Sequence, residues 1–331
     1  MTAATAPLLD RSGEPLPLPE LADLWPLGGW QSVDRVLGGK NEHLRLVTGD
    51  GVHYLRRSPR TKSEEELVAQ LELMRLLRSR GFPAPEVVPT RAGADHVQVQ
   101  GRWWVVTRGI AGTPFDDGSR AHLRALGQVL GRYHRLVADL PAVMAEPPAL
   151  AELRLRAARP DVDPALQARA VDVVGRLTAL LPELPRVVVH GGARRGSLLF
   201  DGERVVGVLD FDSAHADVRV LDLAVAVHDV GKVYTRLGDE DHKVALDLDR
   251  VTAVLAAYRA EVRTAPAEAE ALPLLAEAKR LKRALGRINR ARAGEQLSDN
   301  DHAKIRLEDN RLLWLDGHRE ELVAACRRAL A

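Results

Sequence analysis

Cysteine is nearly absent: the 331 residues contain one, Cys326. A single thiol can form neither an internal disulfide nor a cysteine-rich zinc site, and a reducing compartment is expected. Apolar runs of membrane-spanning length are missing too, and the first eighteen residues lack the basic start and apolar core of a signal peptide. The expected location is therefore cytoplasmic, with no membrane association. Net charge is only +1, which leaves no electrostatic footprint for a nucleic acid. What the chain does have is length and apolar content, 46% hydrophobic, enough for two lobes with cores of their own. Its apolar set is dominated by alanine and leucine and its basic set by arginine, the composition of a GC-rich bacterial genome.

The order of patterns predicts an α+β chain. Residues 1–29 are rich in Pro and Leu, with Pro15, Pro17, Pro19 and Pro26 interrupting any helix, and read as an extension that packs on the neighbouring lobe. Residues 30–108 read as that small lobe. Strands are predicted over 33–37, 43–47 and 52–57, and a second hairpin over 96–100 and 102–107. Between them, Ser63 and Glu66 form a capping-box pattern ahead of Leu67, Leu71, Met74 and Leu77 at helical spacing, and Gly81, Pro83 and Pro85 end that helix. Gly109-Ile110-Ala111-Gly112 reads as a hinge. Residues 109–331 then read as a large, mainly helical lobe, with helices over 116–140, 164–180, 250–262, 267–293 and 312–330. His134 falls on the buried stripe of the first, where a core hydrogen bond is expected of it rather than chemistry. The basic run Lys279, Arg280, Lys282, Arg283, Arg287, Arg290 and Arg292 reads as a solvated helix face.

The most informative absence lies in one loop, within a catalytic-loop region at 187–224. His190-Gly191-Gly192-Ala193-Arg194-Arg195-Gly196-Ser197 comes after a short apolar strand in the manner of a kinase catalytic loop. Kinases place an Asp base and, five residues later, a metal-binding Asn on that loop. Here Gly192 and Ser197 hold the two positions: the spacing is kept and both side chains are gone. Downstream, the apolar run 205–209 leads to Asp210-Phe211-Asp212, and then to Leu221-Asp222-Leu223-Ala224.

Over about forty residues these motifs resemble the aminoglycoside phosphotransferase and choline kinase-like family, which carries a protein-kinase-like two-lobe fold. The resemblance implies ATP and magnesium as cofactors. It places Asp210 and Asp212 as metal ligands, on one face of the chain if it stays extended. Asp222 and His190 would hold the loop's shape. In the small lobe, Gly38 and Gly39 lie where backbone amides approach phosphates, although an ordinary hairpin fits the same residues. Arg56 takes the place of the strand Lys that grips the phosphates, and Gln70 that of the helix Glu pairing with it, with Glu66 and Glu72 as neighbouring substitutes. Arg194 and Arg195 add positive charge to the loop, for a phosphate, an acidic peptide or plain solvation.

A missing base costs about 10² to 10⁴ in rate, while phosphoryl transfer is mostly positioning and charge stabilisation. Two losses on one loop make a pseudokinase the leading expectation: a fold kept to bind a nucleotide or other ligand, with a protein or peptide partner. An active phosphotransferase on a small hydroxyl compound or on peptide Ser/Thr is the enzyme alternative. A third reading is a peptide-binding component of a natural-product tailoring complex.

Overall fold

The structure, a computed structural model, describes residues 8–10, 13–36, 42–159, 162–237 and 240–331, with backbone alone at 234–237 and 240–243. It divides into two compact units, Met1–Ala111 and Gly112–Ala331.

The first unit is built on an antiparallel sheet. After helix α1 (Leu18–Ala22) come β1 (Trp30–Val36), β2 (Glu42–Thr48), β3 (Gly51–Arg57), helix α2 (Glu64–Ser79), β4 (Val87–Val88), β5 (Val97–Val99) and β6 (Arg102–Arg108). The strand order is β1-β2-β3-β6-β4, with β5 added to β6. The capping box is present at α2: Ser63 Oγ accepts from Glu66 N at 3.2 Å, and Glu66 Oε2 accepts from Ser63 N at 3.0 Å. One face of the sheet, carrying Leu44, Leu46, Leu55, Trp104 and Val106, forms a core with Leu16, Leu21, Trp25 and Leu27 of the preceding segment. Each fully buried apolar side chain of that segment contributes roughly 1.5–3 kcal/mol, and the Trp25 indole N–H donates to the Val88 carbonyl at 3.0 Å. The Pro-rich segment is therefore part of this unit's core.

The second unit is mainly helical. Its elements are β7 (Thr113–Pro114), α3 (Arg120–Leu136), α4 (Pro148–Ala157), α5 (Pro164–Leu180), β8 (Arg186–Val189), β9 (Leu198–Asp201), β10 (Arg204–Val208), β11 (His215–Val218), α6 (Val220–Gly231), β12 (Lys232–Leu237), β13 (Glu240–Leu246), α7 (Leu248–Arg259), α8 (Pro266–Arg292) and α9 (Asp299–Leu330). Helix α3 lies so close to α7 that a Cβ on Gly127 would sit 2.2 Å from the Val254 carbonyl oxygen, which makes glycine obligatory there. Helix α9 starts thirteen residues before the expected 312. Its first turns are polar and show little apolar periodicity, but Ser298 Oγ caps them by accepting from Asp301 N at 3.2 Å. Helices α4 and α6 and the β12–β13 hairpin are additions to the elements that the pattern predicts. Among the described residues no helix is long and apolar enough to cross a membrane.

Candidate active site

Strand β8 delivers the loop. It pairs antiparallel with β11, with His215 opposite Val189, so residue 190 leaves the sheet beside the turn that ends at β11. Asp222, fully buried on the first turn of α6, then fixes the loop backbone. Its Oδ2 accepts from His190 N at 2.8 Å and its Oδ1 from Gly191 N at 2.8 Å. His134, on α3, reaches the same carboxylate through Nε2 at 3.1 Å, while its Nδ1 meets the Tyr258 hydroxyl of α7 at 2.9 Å. Burial works to raise the Asp222 pKa, but the His134 hydrogen bond and the loop amide hold it below the ordinary carboxylate value. Gly191 has φ +72°, and a Cβ there would lie 2.2 Å from the Ser213 carbonyl oxygen, so this step of the loop admits only glycine.

His190 is packed inside the loop. Its Nε2 lies 3.0 Å from the Leu209 carbonyl, and its Nδ1 accepts from Gly192 N at 3.3 Å, a pair of contacts that one neutral tautomer satisfies. Burial pushes its pKa down, which favours that neutral form. With both ring nitrogens engaged, it supports the loop rather than replacing a base.

Gly192 presents no side chain, yet the space for one exists. A Cβ would meet nothing closer than His190 Nδ1 at 3.7 Å and the Asp210 carbonyl oxygen at 3.8 Å, which also places residues 192 and 210 side by side. Ser197 is buried and turns its hydroxyl inward, donating to the Gly192 carbonyl at 3.0 Å. Asp210 comes two residues after β10 in a left-handed conformation, φ 69° and ψ 51°, and the chain then coils into a short 3₁₀ turn over Phe211–Ser213. The run does not stay extended, so Asp212 does not share a face with Asp210 through strand alternation. The Asp210 carboxylate is about half exposed, and Arg194 Nη2 stands 3.5 Å from it. Arg195 is engaged elsewhere. Its Nη1 donates to both carboxylate oxygens of Asp117 at 2.7 Å, and its backbone N and Nε both donate to Asp229 Oδ2 at 3.1 Å. Asp117 is in turn held by Arg250, which donates to its carbonyl at 2.7 Å.

Hard oxygen donors suit a magnesium ion. Asp210 offers a half-exposed carboxylate and Asp212 is the next acidic residue along the chain, so these are the residues that would hold a cation. The inward hydroxyl of Ser197 offers nothing to a second.

In the first unit, β3 alternates. Arg57 lies on the face of Leu55 and is buried, ion-paired with Asp10 at 2.9 Å and with Glu42. Arg56 therefore lies on the opposite face of the sheet, half-buried between His43 of β2 and Val105 of β6. Gln70 is buried on α2, whereas Glu66 and Glu72 are exposed and Glu66 is committed to the capping box. Gly38 and Gly39 lie outside the described residues.

The basic run on α8 departs from the solvated face that its sequence predicts. Lys282, Arg287 and Arg290 do make surface ion pairs with Glu152, Asp301 and Glu295. Arg280, however, is fully buried, bonded through Nη1 to Glu308 Oε2 of α9 at 2.9 Å. Sequence reading also misses Asp117 and Asp229, which hold Arg195 of the loop, and Tyr258, which holds His134 behind Asp222. Nothing in their local sequence marks them.

An antiparallel sheet with one long helix, succeeded by a mainly helical unit with this loop, defines a protein-kinase-like fold. Among solved structures, amicoumacin kinase in complex with AMP-PNP and Ca²⁺ superposes with a TM-score of 0.69 at 14% identity, covering 89% of this chain and 92% of that one. A microcompartment-associated aminopropanol kinase gives 0.69 at 18% identity, covering 90% and 95%. Residues 35–253 match the profile of the phosphotransferase enzyme family, and the chain belongs to that family. Homoserine kinase of Methylobacillus glycogenes is 32% identical over 295 residues, 86% of this chain and 87% of the relative. Homoserine kinase of Methylobacterium sp. (strain 4-46) is 30% identical over 281 residues, 81% and 83%.

Proposed function

We propose that the chain is an ATP-dependent phosphotransferase acting on the hydroxyl of a small compound, slowed by the absent carboxylate at Gly192. The observation that carries this reading is the Asp222 clamp. A buried carboxylate accepting two loop amides at 2.8 Å each, backed by His134, keeps the loop in shape although its two reactive side chains are gone. Homology to homoserine kinases over more than 80% of the chain supports the same reading.

In the reaction, the substrate hydroxyl oxygen bonds to the γ-phosphorus, the bond to the β,γ-bridging oxygen breaks, and ADP leaves. With no base at 192, the hydroxyl proton passes to a phosphoryl oxygen or to solvent. Magnesium held by Asp210 and Asp212 would supply charge neutralisation of the phosphates. Against a usual turnover of about 1 to 100 per second, loss of the base leaves about 10⁻⁴ to 1 per second.

Phosphorus NMR of the protein with ATP, magnesium and L-homoserine or other small hydroxyl compounds tests the proposal. A phosphomonoester product that disappears in Asp210→Ala is expected, and ATP binding with no transfer to any of them would overturn it. That outcome would favour a second reading, a nucleotide-binding pseudokinase, for which the inward-turned Ser197 hydroxyl is the specific support.

A further inference from the structure

Helix α6 carries two carboxylates on one face. Asp222 stands in its first turn and Asp229 near its end, seven residues on, which in an α-helix is two turns and about 10 Å along the axis. The first grips the start of the catalytic loop, at the amides of His190 and Gly191. The second grips its far end: Asp229 Oδ2 accepts from Arg195 N and from Arg195 Nε, both at 3.1 Å. A carboxylate in the last turn of a helix meets the negative end of the dipole and is disfavoured there, so the loop donors, with Lys232 Nζ at 3.9 Å from Oδ1, account for its place better than the helix does. Arg195 carries the anchorage further. Its Nη1 donates to both carboxylate oxygens of Asp117, ahead of α3, at 2.7 Å, and a planar fork bound in this way fixes direction as well as charge.

Residue 195 opens the short 3₁₀ turn Arg195–Ser197, in which Ser197 N donates to the Arg194 carbonyl at 2.9 Å. That turn delivers residue 197 to two contacts. The Ser197 carbonyl accepts from Leu209 N at 2.7 Å, just ahead of Asp210, and its hydroxyl donates to the Gly192 carbonyl at 3.0 Å. We propose that Asp229, acting through Arg195, is a positioning residue that sets position 197 relative to position 192, the two places where a kinase loop carries its metal ligand and its base. Helix α6 thus holds the loop at both ends, with Asp222 fixing the side of position 192 and Asp229 the side of position 197. The consequence for phosphoryl transfer rests on the phosphotransfer reading, whereas the positioning itself does not.

Residue-resolved amide hydrogen exchange on the full chain, without nucleotide, tests it. In Asp229→Asn the protection of the amides of residues 195 and 197 should fall about tenfold or more, as loss of a charge-assisted hydrogen bond predicts, while those of His190 and Gly191 keep theirs. Unchanged protection at 195 and 197 overturns the proposal. An equal loss at all four amides overturns it too, because Asp229 would then support the unit in general. Arg195→Gln keeps the carboxylate and the backbone donor, and decides the matter if the Asn variant does not fold: protection at 197 should fall, and no change there overturns the proposal. In the Gly192→Asp/Ser197→Asn protein, adding Asp229→Asn should slow transfer at saturating ATP about tenfold or more and leave ATP affinity within about twofold, a split that general destabilisation would not produce. The predicted exchange pattern in a protein that transfers no phosphoryl group would remove only the enzymatic reading.

Discussion

Replacing Asp222 by Asn tests the clamp with a nearly isosteric change. The carboxylate accepts from His190 N, Gly191 N and His134 Nε2 at 2.8, 2.8 and 3.1 Å in a fully buried site. An amide keeps one accepting oxygen and turns an NH₂ toward a backbone N–H. The variant loses one charge-assisted hydrogen bond, about 1.5–3 kcal/mol, and strands a buried amide donor at about 1–3 kcal/mol. Partial relief of the buried charge offsets some of this, so a net loss of about 3 kcal/mol is expected. For a unit of this size that corresponds to a fall in Tm of about 6–12 °C. Thermal unfolding monitored by far-ultraviolet circular dichroism weights the helical unit that contains the clamp. A variant melting within about 1 °C of wild type would refute the claim that Asp222 holds the loop.

Three other perturbations reach different parts of the molecule. Burial depresses the pKa of His53, His190 and His228, so each favours its neutral form in the fold while the unfolded chain takes up protons below about pH 6.5. His215, raised by its hydrogen bond to Asp217, opposes them, because its contribution is fullest below that pH and fades as pH rises. With three groups against one, the urea midpoint should fall between pH 7.5 and 5.5 and fall more steeply in His215→Gln; a rise on acidification would contradict the assignment. Arg57→Met removes the buried guanidinium that Asp10 and Glu42 share, although Glu42 keeps Arg35 at 3.4 Å, and should cost about 3 kcal/mol, with faster proteolysis ahead of β1 as the readout. Unchanged cleavage there would show that the preceding segment is held by its apolar contacts alone. Asp210→Ala should weaken magnesium-dependent ATP binding, whereas ATP affinity unchanged in the presence of magnesium would remove Asp210 from the metal site.

Much of this architecture is legible in the sequence, because local chemistry specifies it. Ser63 and Glu66 announce the start of α2 three residues apart, and Gly191 with the 190–197 spacing announces the loop. What stays hidden depends on distant partners. Arg280 sits in a run of seven basic residues that any helical projection would expose, and its burial is set by Glu308, twenty-eight positions away on another helix. Asp117 and Asp229 carry no motif, yet they position Arg195 from either side. The extended reading of 210–212 fails at one backbone angle: Asp tolerates the left-handed conformation better than most residues, and that freedom leaves no mark on the apolar pattern. The prolines of the first segment, read as interrupting any helix, instead allow the short helix α1 with Pro19 in its first turn, and they give no sign that Leu16, Leu21, Trp25 and Leu27 complete a sheet core.

On the proposed function, an intact loop carries slow phosphoryl transfer because position 192 lacks a carboxylate. Single-turnover transfer from ATP to an accepted hydroxyl compound, compared between wild type and Gly192→Asp/Ser197→Asn, tests it most directly. The open space at the Gly192 Cβ position admits the Asp, and the pair should gain more than either change alone, because groups that act as a unit are not additive. Wild-type transfer at about 10⁻⁴ to 1 per second and a gain of about 10² or more in the double variant are expected. A wild type already within the usual kinase range and unchanged by the pair, or no transfer by either protein, would contradict it.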